Sequence, residues 1–217
     1  MESDAKQQKK LIVMGDSGVY GWGDIEKGGW CERLRQKWLK ENNGAVIYPL
    51  GIRGDGLEKL AKRCKLEWEC RGETRRTVPD SLLINIGLND TARVGRKDGR
   101  PQLSSDAFRY GLERLISDMR NKTQVIMMGL TPVKEEMMPF AGCLWYSNEA
   151  CSLYERQIEE ACLEQDIPFI PLHKEMSAGQ KDNELIGIDG IHLNTKGHCW
   201  VFEKLSFWLS THSSIFD

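Results

Sequence analysis

Short, almost continuous apolar runs recur along the chain, and segments with a helical spacing of apolar residues separate them. The five runs are KLIVMG at 10–15, AVIYPLG at 45–51, SLLINIG at 81–87, TQVIMMG at 123–129 and IPFIPL at 167–172. Apolar runs without polar alternation are typical of strands that are buried on both faces, as in a parallel sheet. We therefore predict five parallel strands, four of which end in glycine.

The segments between these runs carry apolar residues three or four positions apart, which is the spacing of one helix face. The sets are Trp30, Leu34 and Trp38; Leu57, Leu60, Ala61 and Cys64; Phe108, Leu112, Leu115, Ile116 and Met119; Leu153, Tyr154, Ile158, Ala161 and Cys162; and, in a last helix over about 195–210, Trp200, Val201, Leu205 and Trp208. Parallel neighbours need a crossover and helices must cover both sheet faces, so this alternation predicts a doubly wound α/β sandwich. The length suits one domain, residues 1–217.

Composition and charge narrow the classes of function. Apolar residues make up 40% of the chain and charged residues 29%, with a net charge of -2, as in an ordinary soluble globular protein. A nucleic-acid-binding protein normally carries a clustered basic surplus, whereas the densest basic run, RGETRRTV at 71–78, is interrupted by Glu73. We expect no nucleic-acid partner.

The sequence carries no pattern of export or membrane insertion. Its first ten residues are polar and do not form the apolar core of a secretory signal. No apolar run approaches the roughly 20 residues that span a bilayer. The seven cysteines include no C-x-x-C pair, which suits a reducing compartment. We expect a cytoplasmic protein without a membrane span or a disulfide framework.

Ligands of doubly wound sheets bind beyond the carboxyl ends of the strands, and the first strand leads into LIVMGDSGVYGWG at 11–23. A P-loop requires a lysine after its glycines, and no lysine follows the glycines of this turn. Their spacing also differs from the dinucleotide fingerprint G-x-G-x-x-G. The nucleophile elbow G-x-S-x-G also fails, because Val19 occupies the place of its last glycine. What remains is Ser17 at the mouth of the sheet.

A serine hydroxyl becomes a good nucleophile when a histidine takes its proton and a carboxylate fixes the tautomer of that histidine. Of the four histidines, His212 lies in a polar tail and His173 directly follows the fifth apolar run. His192 lies in the loop before the last helix, three residues after Asp189. This separation across a turn can bring Asp189 to the imidazole Nδ1, so one short segment can supply both the base and the carboxylate.

Acyl transfer also needs hydrogen-bond donors for the oxyanion of the tetrahedral intermediate. The second strand leads into GIRGDG, where Gly54 can offer a backbone N–H, and the third leads into INIGLND, where Asn89 can offer its side-chain amide. Ser17, Gly54, Asn89 and His192 are thus all expected at the same edge of the sheet.

These segments carry a resemblance to a known family. MGDSG at 14–18, GIRGD at 51–55, IGLND at 86–90 and IDGIHLN at 188–194 resemble, in that order, the four signature blocks of the SGNH, or GDSL-type, hydrolases, and GLTPV at 129–133 is similar to a further strand end of that family. The resemblance covers nearly the whole chain. It implies a flavodoxin-like, three-layer α/β/α sandwich with a five-stranded parallel sheet, and an enzyme that cleaves small-molecule carboxylic esters without a cofactor or a metal.

By the same resemblance Ser17 is the nucleophile, and Asp189 with His192 completes the catalytic triad. Gly54 and Asn89 join the Ser17 N–H in the oxyanion hole. A thioesterase or an acyltransferase of the same mechanism is an alternative, since both form the same acyl-enzyme. A relative that binds a small metabolite or a carbohydrate without turnover is a second alternative, although such a protein is expected to lack a triad member.

Simpler roles exist for several of these residues. Ser17 can cap the following helix, and Asp16 and Asp90 are expected to be structural, with Asp90 a turn residue. We expect no metal site, because the spacing of the nearest candidate set matches no common zinc pattern. That set is His192, His198 and Cys199.

Substrate contacts are expected from three residues beside the sheet mouth. Arg53 either binds an acidic group of the substrate or pairs with a structural carboxylate. Met137, in the loop sequence KEEMMPF, and Trp145 are the other two candidates. Met127 and Met128 are expected in the core of the fourth apolar run.

Overall fold

The computed structural model describes residues 9–41, 46–72, 78–178 and 182–212. Its strands in chain order are β1 (Lys10–Gly15), β2 (Val46–Gly51), β3 (Ser81–Asn85), β4 (Arg93–Val94), β5 (Gln124–Met128), β6 (Leu144–Trp145) and β7 (Phe169–Ile170). Five of them form a parallel sheet in the order β2-β1-β3-β5-β7, and β4 pairs antiparallel with β6. Part of the basic run, residues 73–77, and residues 1–8 lie outside the described chain.

The helices are α1 (Ser17–Tyr20), α2 (Trp30–Lys40), α3 (Leu57–Cys70), α4 (Leu88–Thr91), α5 (Ser105–Arg120), α6 (Asn148–Glu164), α7 (His173–Ala178), α8 (Asp182–Leu185) and α9 (Thr195–Thr211), with a 3-10 turn at Glu135–Met137. Ile12 and Met14 of β1 pack with apolar residues of α3, α5 and α6 on one sheet face. Leu11 and Val13 pack with apolar residues of α2 and α9 on the other. The predicted α/β/α sandwich with a five-stranded parallel sheet is confirmed.

The strands end level with one another, which explains why the site residues converge. In the register of the sheet, Gly15 lies beside both Gly51 and Asn85, and Asn85 lies beside Met128. Any loop that follows one of these residues therefore starts from the same edge. The segments that carry Ser17, Gly54 and Asn89 begin within four residues of this row.

Two predicted strands are shorter than their apolar runs. The run at 167–172 is a strand only over Phe169–Ile170, because Pro168 and Pro171 flank this pair and proline has no N–H to donate to a ladder. The run at 81–87 ends as a strand at Asn85, and Gly87 then begins the turn into α4 with a positive φ of 128°. Met127 and Met128 are fully buried, as predicted.

A buried carboxylate of α6 holds two of these strand ends in place. Glu155 is 5% exposed, and its oxygens accept hydrogen bonds from the N–H groups of Leu130, Leu172, His173 and Lys174 at 2.8 to 3.2 Å. The four donors belong to the segments that follow β5 and β7. One side chain therefore satisfies backbone groups that have left the ladder and would be costly to bury unpaired.

The helices of the described part of the chain fall short of what a membrane span requires. None of them is both long enough and apolar enough to cross a bilayer.

Candidate active site

Ser17 lies at the first position of α1, immediately after β1, where it is 7% exposed. The helix is capped by the preceding residue, because the Asp16 side chain accepts a hydrogen bond of 2.8 Å from the Gly18 N–H. The simpler prediction that Ser17 is the cap is therefore wrong, and the structural role expected for Asp16 is confirmed. A Cβ on Gly51 would lie 2.2 Å from the Tyr20 N, so only glycine lets α1 approach the end of β2 this closely.

Ser17, His192 and Asp189 form a continuous chain of hydrogen bonds. The His192 Nε2 lies 2.9 Å from the Ser17 Oγ, and the His192 Nδ1 lies 2.6 Å from the Asp189 Oδ2. The second Asp189 oxygen accepts from the backbone N–H groups of Ile191 and His192 at 3.1 and 3.0 Å. A proton on Nδ1, donated to Asp189, leaves Nε2 free to accept the serine proton.

The surroundings of Asp189 keep it ionised. Burial acts to raise its pKa, but hydrogen bonds from the His192 ring and from two backbone N–H groups outweigh that effect and hold the pKa below its ordinary value. Asp189 therefore remains a carboxylate opposite His192, as the fixing of one imidazole tautomer requires.

Asn89 lies beside Asp16, and both of its amide hydrogens are engaged. Its Nδ2 donates to the Asp16 Oδ2 at 3.1 Å and to the Asp55 carbonyl oxygen at 3.0 Å. Its Oδ1 lies 3.4 Å from the Tyr146 hydroxyl. The amide orientation is thus fixed from several sides, and donation to a further acceptor requires that one of the two existing bonds be shared or given up.

The backbone offers two donors that are not engaged in this way. Among the described residues, neither the Ser17 N–H nor the Gly54 N–H makes a hydrogen bond. Ser17 is the first residue of α1, where N–H groups have no partner within the helix. Gly54 has a φ of 77° and is exposed, in the loop that follows β2.

Asp90, in contrast to its neighbour, faces the start of α3. Both of its carboxylate oxygens lie within 3.1 Å of the Leu57 N, so Asp90 caps a helix whose own N-cap residue is a glycine. The structural role expected for Asp90 is confirmed, although it acts on α3 and not only on its own turn. Burial raises the pKa of Asp90 to about 7, against the opposing effect of the Leu57 hydrogen bond.

Two aromatic rings flank His192. The centroid of the Trp22 ring lies 6.1 Å from that of the imidazole, and the two rings are tilted relative to each other. The centroid of the Phe140 ring lies 5.9 Å from that of the imidazole, in an edge-on arrangement. The Arg53 guanidinium stacks over the Trp22 ring at 3.5 Å from its centroid, with no carboxylate partner among the described residues. The structural pairing that had been an alternative for Arg53 is made instead by Arg63, which bonds Asp55 at 3.0 Å.

The other two candidate contacts lie in different places. Met137 is 46% exposed in the 3-10 turn and lies against Gly190, next to Asp189, since a Cβ on that glycine would be 2.6 Å from the Met137 Cβ. Trp145 lines a separate pocket of about 590 Å³, which is not lined by Ser17, Asp189 or His192. Tyr146 lines the same pocket and connects it to Asn89 through its hydroxyl.

His198 has a structural environment. It is fully buried; its Nδ1 accepts from the Trp30 N–H at 3.1 Å and its Nε2 lies 3.0 Å from the Trp22 carbonyl oxygen. Burial lowers the pKa of His198, so it joins α9 to α2 as a neutral ring. Across the described residues, no group of three histidine, cysteine, aspartate or glutamate side chains has an arrangement that could hold a metal ion.

Of the side chains that flank the site, sequence reasoning placed Trp22 at its approach and Tyr146, with Trp145, among the candidate substrate contacts, but it missed Asp55 and Phe140. They contact the triad or Asn89 across long sequence separations, and none belongs to a periodic pattern. Glu155 did leave a signal, because a carboxylate there shares a helix face with Cys151, Ile158 and Cys162 and interrupts an apolar stripe.

Most of the chain also matches a known protein family. The model of the GDSL-like lipase/acylhydrolase family matches residues 13–199. The chain belongs to this family. It is therefore a GDSL-type carboxylic ester hydrolase, and the matched region includes Ser17, Asn89, Asp189 and His192. Comparison with curated proteins finds no match.

Several solved structures share the fold. A lipase/acylhydrolase from Enterococcus faecalis is 18% identical, with a TM-score of 0.76 over 93% of this chain and 95% of that chain. A psychrotrophic esterase, EstA from a Pseudoalteromonas species, inhibited by monoethylphosphonate, is 15% identical, with a TM-score of 0.68 over 94% and 100%. A catalytic mutant of Axe2, an acetylxylan esterase from Geobacillus stearothermophilus, is 16% identical, with a TM-score of 0.70 over 91% and 92%. Catalytic mutants of Axe2 replace a serine, an aspartate or a histidine by alanine.

Proposed function

We propose that this GDSL-type hydrolase cleaves small-molecule carboxylic esters through an acyl-enzyme on Ser17, within a single domain of residues 1–217. The observation that carries the proposal is the hydrogen-bond chain from the Ser17 Oγ through His192 to Asp189, with links of 2.9 and 2.6 Å. Both distances lie within the range for a nucleophile, its base and the group that orients the base. The Axe2 catalytic mutants concern the same three residue types.

In the first half of the reaction, the His192 Nε2 takes the Ser17 proton as the Oγ attacks the ester carbonyl carbon. The carbonyl π electrons move to the oxygen, and the tetrahedral intermediate forms. His192 then gives its proton to the leaving alkoxide as the carbon–oxygen bond breaks, which releases an alcohol. Asp189 holds the imidazole in place and stabilises its charged form throughout.

In the second half, a water molecule takes the place of the alcohol. His192 removes a proton from this water, the hydroxide adds to the acyl carbon, and the returning proton allows the Ser17 Oγ to leave. The products are a carboxylic acid and free enzyme. A thiol ester or an acyl acceptor other than water would use the same steps, so substrates and acceptors have to be compared directly.

The oxyanion is proposed to rest on the N–H groups of Ser17 and Gly54 and on the Asn89 amide. The role of the two backbone N–H groups is supported by the observation that neither has another hydrogen-bond partner among the described residues. Asn89 contributes by sharing one of the hydrogens that it gives to Asp16 or to the Asp55 carbonyl in the free enzyme. Because such a bond strengthens as charge develops, it stabilises the transition state more than the bound ester.

Arg53 and Met137 are proposed to contact the substrate at the rim of the site. Arg53 is exposed and stacks on the ring beside His192, and Met137 lies against the loop that carries Asp189. Trp145 is proposed to contact only those substrates that extend past Tyr146 into the neighbouring pocket.

The proposal is tested by measuring the hydrolysis of p-nitrophenyl and aliphatic esters by the wild type, Ser17→Ala and Ser105→Ala. Ser105 is the matched control, since it is also the first residue of a helix. We expect turnover by the wild type and Ser105→Ala, and a loss of about a thousandfold or more in kcat for Ser17→Ala. Equal rates in the wild type and Ser17→Ala would overturn the proposal.

A further inference from the structure

We propose that the acyl side of this active site accepts only very short acyl groups, such as acetyl and propionyl. This inference rests on the proposed function of Ser17. It comes from a cavity of about 30 Å³ beside Ser17, here named the acyl pocket. Ser17 and His192 line it together with Leu88, Leu130, Thr131 and Val201.

The substituents of the tetrahedral carbon decide what enters this pocket. One position is bonded to the Ser17 Oγ, and the oxyanion faces the donors around Ser17, Gly54 and Asn89. The leaving oxygen must lie within hydrogen-bond reach of the His192 Nε2, and the alcohol attached to it must depart into solvent. A cavity of this small volume is no path for a departing alcohol, so the remaining substituent, the acyl carbon chain, is the one that enters the acyl pocket.

The volume of the acyl pocket limits the length of the acyl chain of the substrate. About 10–15 Å³ of cavity volume is enough to hold one water molecule, so the volume of about 30 Å³ holds about two groups of that size, such as a methyl and a methylene group. The acyl chain of an acetyl or a propionyl ester therefore fits it. Each further methylene must displace wall atoms, and protein interiors are packed too densely to yield easily.

The walls of the pocket are held by the fold. Leu130 is 2% exposed and Val201 is fully buried, on opposite sides of the central sheet. The Leu130 N–H bonds the buried carboxylate of Glu155 at 2.8 Å, and the same oxygen accepts from the Leu172 N–H, a residue that also lines the pocket. The wall backbone is thus fixed to α6, and it cannot move aside without breaking buried hydrogen bonds.

The test compares kcat/KM for p-nitrophenyl acetate, butyrate and octanoate. In the wild type we expect kcat/KM to fall about tenfold or more from acetate to butyrate, since one methylene in an apolar pocket changes kcat/KM by about ten- to 200-fold. Leu130→Ala enlarges the pocket and should raise the butyrate-to-acetate ratio about tenfold or more. Thr131→Ala, at a half-buried loop position on the same wall, should change the ratio in the same direction if Leu130→Ala does not fold.

The matched control is Leu112→Ala, which removes the same atoms from a fully buried leucine of α5 that does not line the pocket. It should leave the ratio unchanged. Wild-type hydrolysis of butyrate or octanoate as fast as acetate, or an equal change of ratio in Leu112→Ala and Leu130→Ala, would overturn the short-acyl inference and leave the esterase proposal standing. Wild-type rates no higher than those of Ser17→Ala on every ester would overturn both.

Discussion

The side-chain amide of Asn89 donates a hydrogen bond of 3.1 Å to the carboxylate of Asp16, which lies 73 positions earlier in the chain. Asp16 precedes Ser17, so this bond joins the segment that carries the proposed nucleophile to the proposed oxyanion donor. Burial raises the pKa of Asp16 to about 6, although the Gly18 hydrogen bond and the nearby His192 oppose the rise. Asp16 is therefore mostly ionised at neutral pH and keeps its acceptor oxygen toward Asn89.

Replacement of this carboxylate is expected to impair catalysis through Asn89. In Asp16→Asn, the new amide can still accept from Gly18 but presents N–H groups where Asn89 also donates, so the Asn89 amide must rotate. We expect kcat to fall by about ten- to 100-fold with little change in KM, because the loss concerns the transition state. Steady-state kinetics at pH 7.5 measure this, with the exposed Asp106→Asn as the control. An unchanged kcat would show that Asp16 does not position Asn89.

Asn89 and Asp90 are adjacent, but they are expected to respond differently to truncation. Asn89→Ala should lower kcat by about 10²- to 10³-fold, or roughly 3 to 4 kcal/mol, with little change in KM or melting temperature. Asp90→Ala removes the cap of α3 and should lower the melting temperature first. Kinetics and thermal unfolding of both variants measure these effects. The reverse pattern would show that Asn89 is not the oxyanion donor.

The buried Asp90 also predicts how stability depends on pH. The unfolded chain loses this proton near a pKa of 3.8, whereas the folded chain keeps it up to about 7. Between these values the folded state binds more protons, so this group lowers the free energy of unfolding as pH rises. Asp90→Asn keeps the acceptor for Leu57 without the titration. Relative to the wild type, it should gain roughly 2 to 4 kcal/mol between pH 4.5 and 8 in urea unfolding. A constant difference over that range would contradict the assignment.

Glu155 is expected to matter for stability because four backbone N–H groups depend on it. In Glu155→Gln, one oxygen becomes an NH₂ group that faces donors, so we expect a loss of roughly 3 kcal/mol in the free energy of unfolding. The exposed Glu160→Gln, which removes one surface ion pair from the same helix, should change it by less than about 1 kcal/mol. Urea unfolding measures both, and equal losses would contradict the role of Glu155.

The sequence predicts the sheet and the site because both follow from short local patterns. Each apolar run ends at a level row of strand ends, so residues a few positions beyond these ends, such as Ser17 and Asn89, must converge. Asp189 and His192 lie three residues apart and meet across one turn. These relationships need only the strand pattern and the geometry of a parallel sheet.

Other features depend on contacts that no local pattern specifies. Arg53 stacks on Trp22, and Arg63 takes the carboxylate of Asp55 instead. Phe140 reaches His192 from a loop 52 positions away, which a single sequence cannot reveal. The acyl pocket arises between side chains from both sides of the sheet, so its volume depends on packing and is not encoded in any motif.

The central claim is that Ser17 is an activated nucleophile, and covalent labelling with a fluorophosphonate tests it most directly. The Ser17 Oγ would attack phosphorus and expel fluoride as His192 takes its proton, which only an activated hydroxyl does readily at neutral pH. We predict one adduct on wild-type protein, located on Ser17 by mass spectrometry of its peptides, absent in Ser17→Ala and strongly slowed in His192→Ala, while Ser105→Ala labels at the wild-type rate. An adduct on a different residue, or no adduct on folded wild-type protein, would contradict the account.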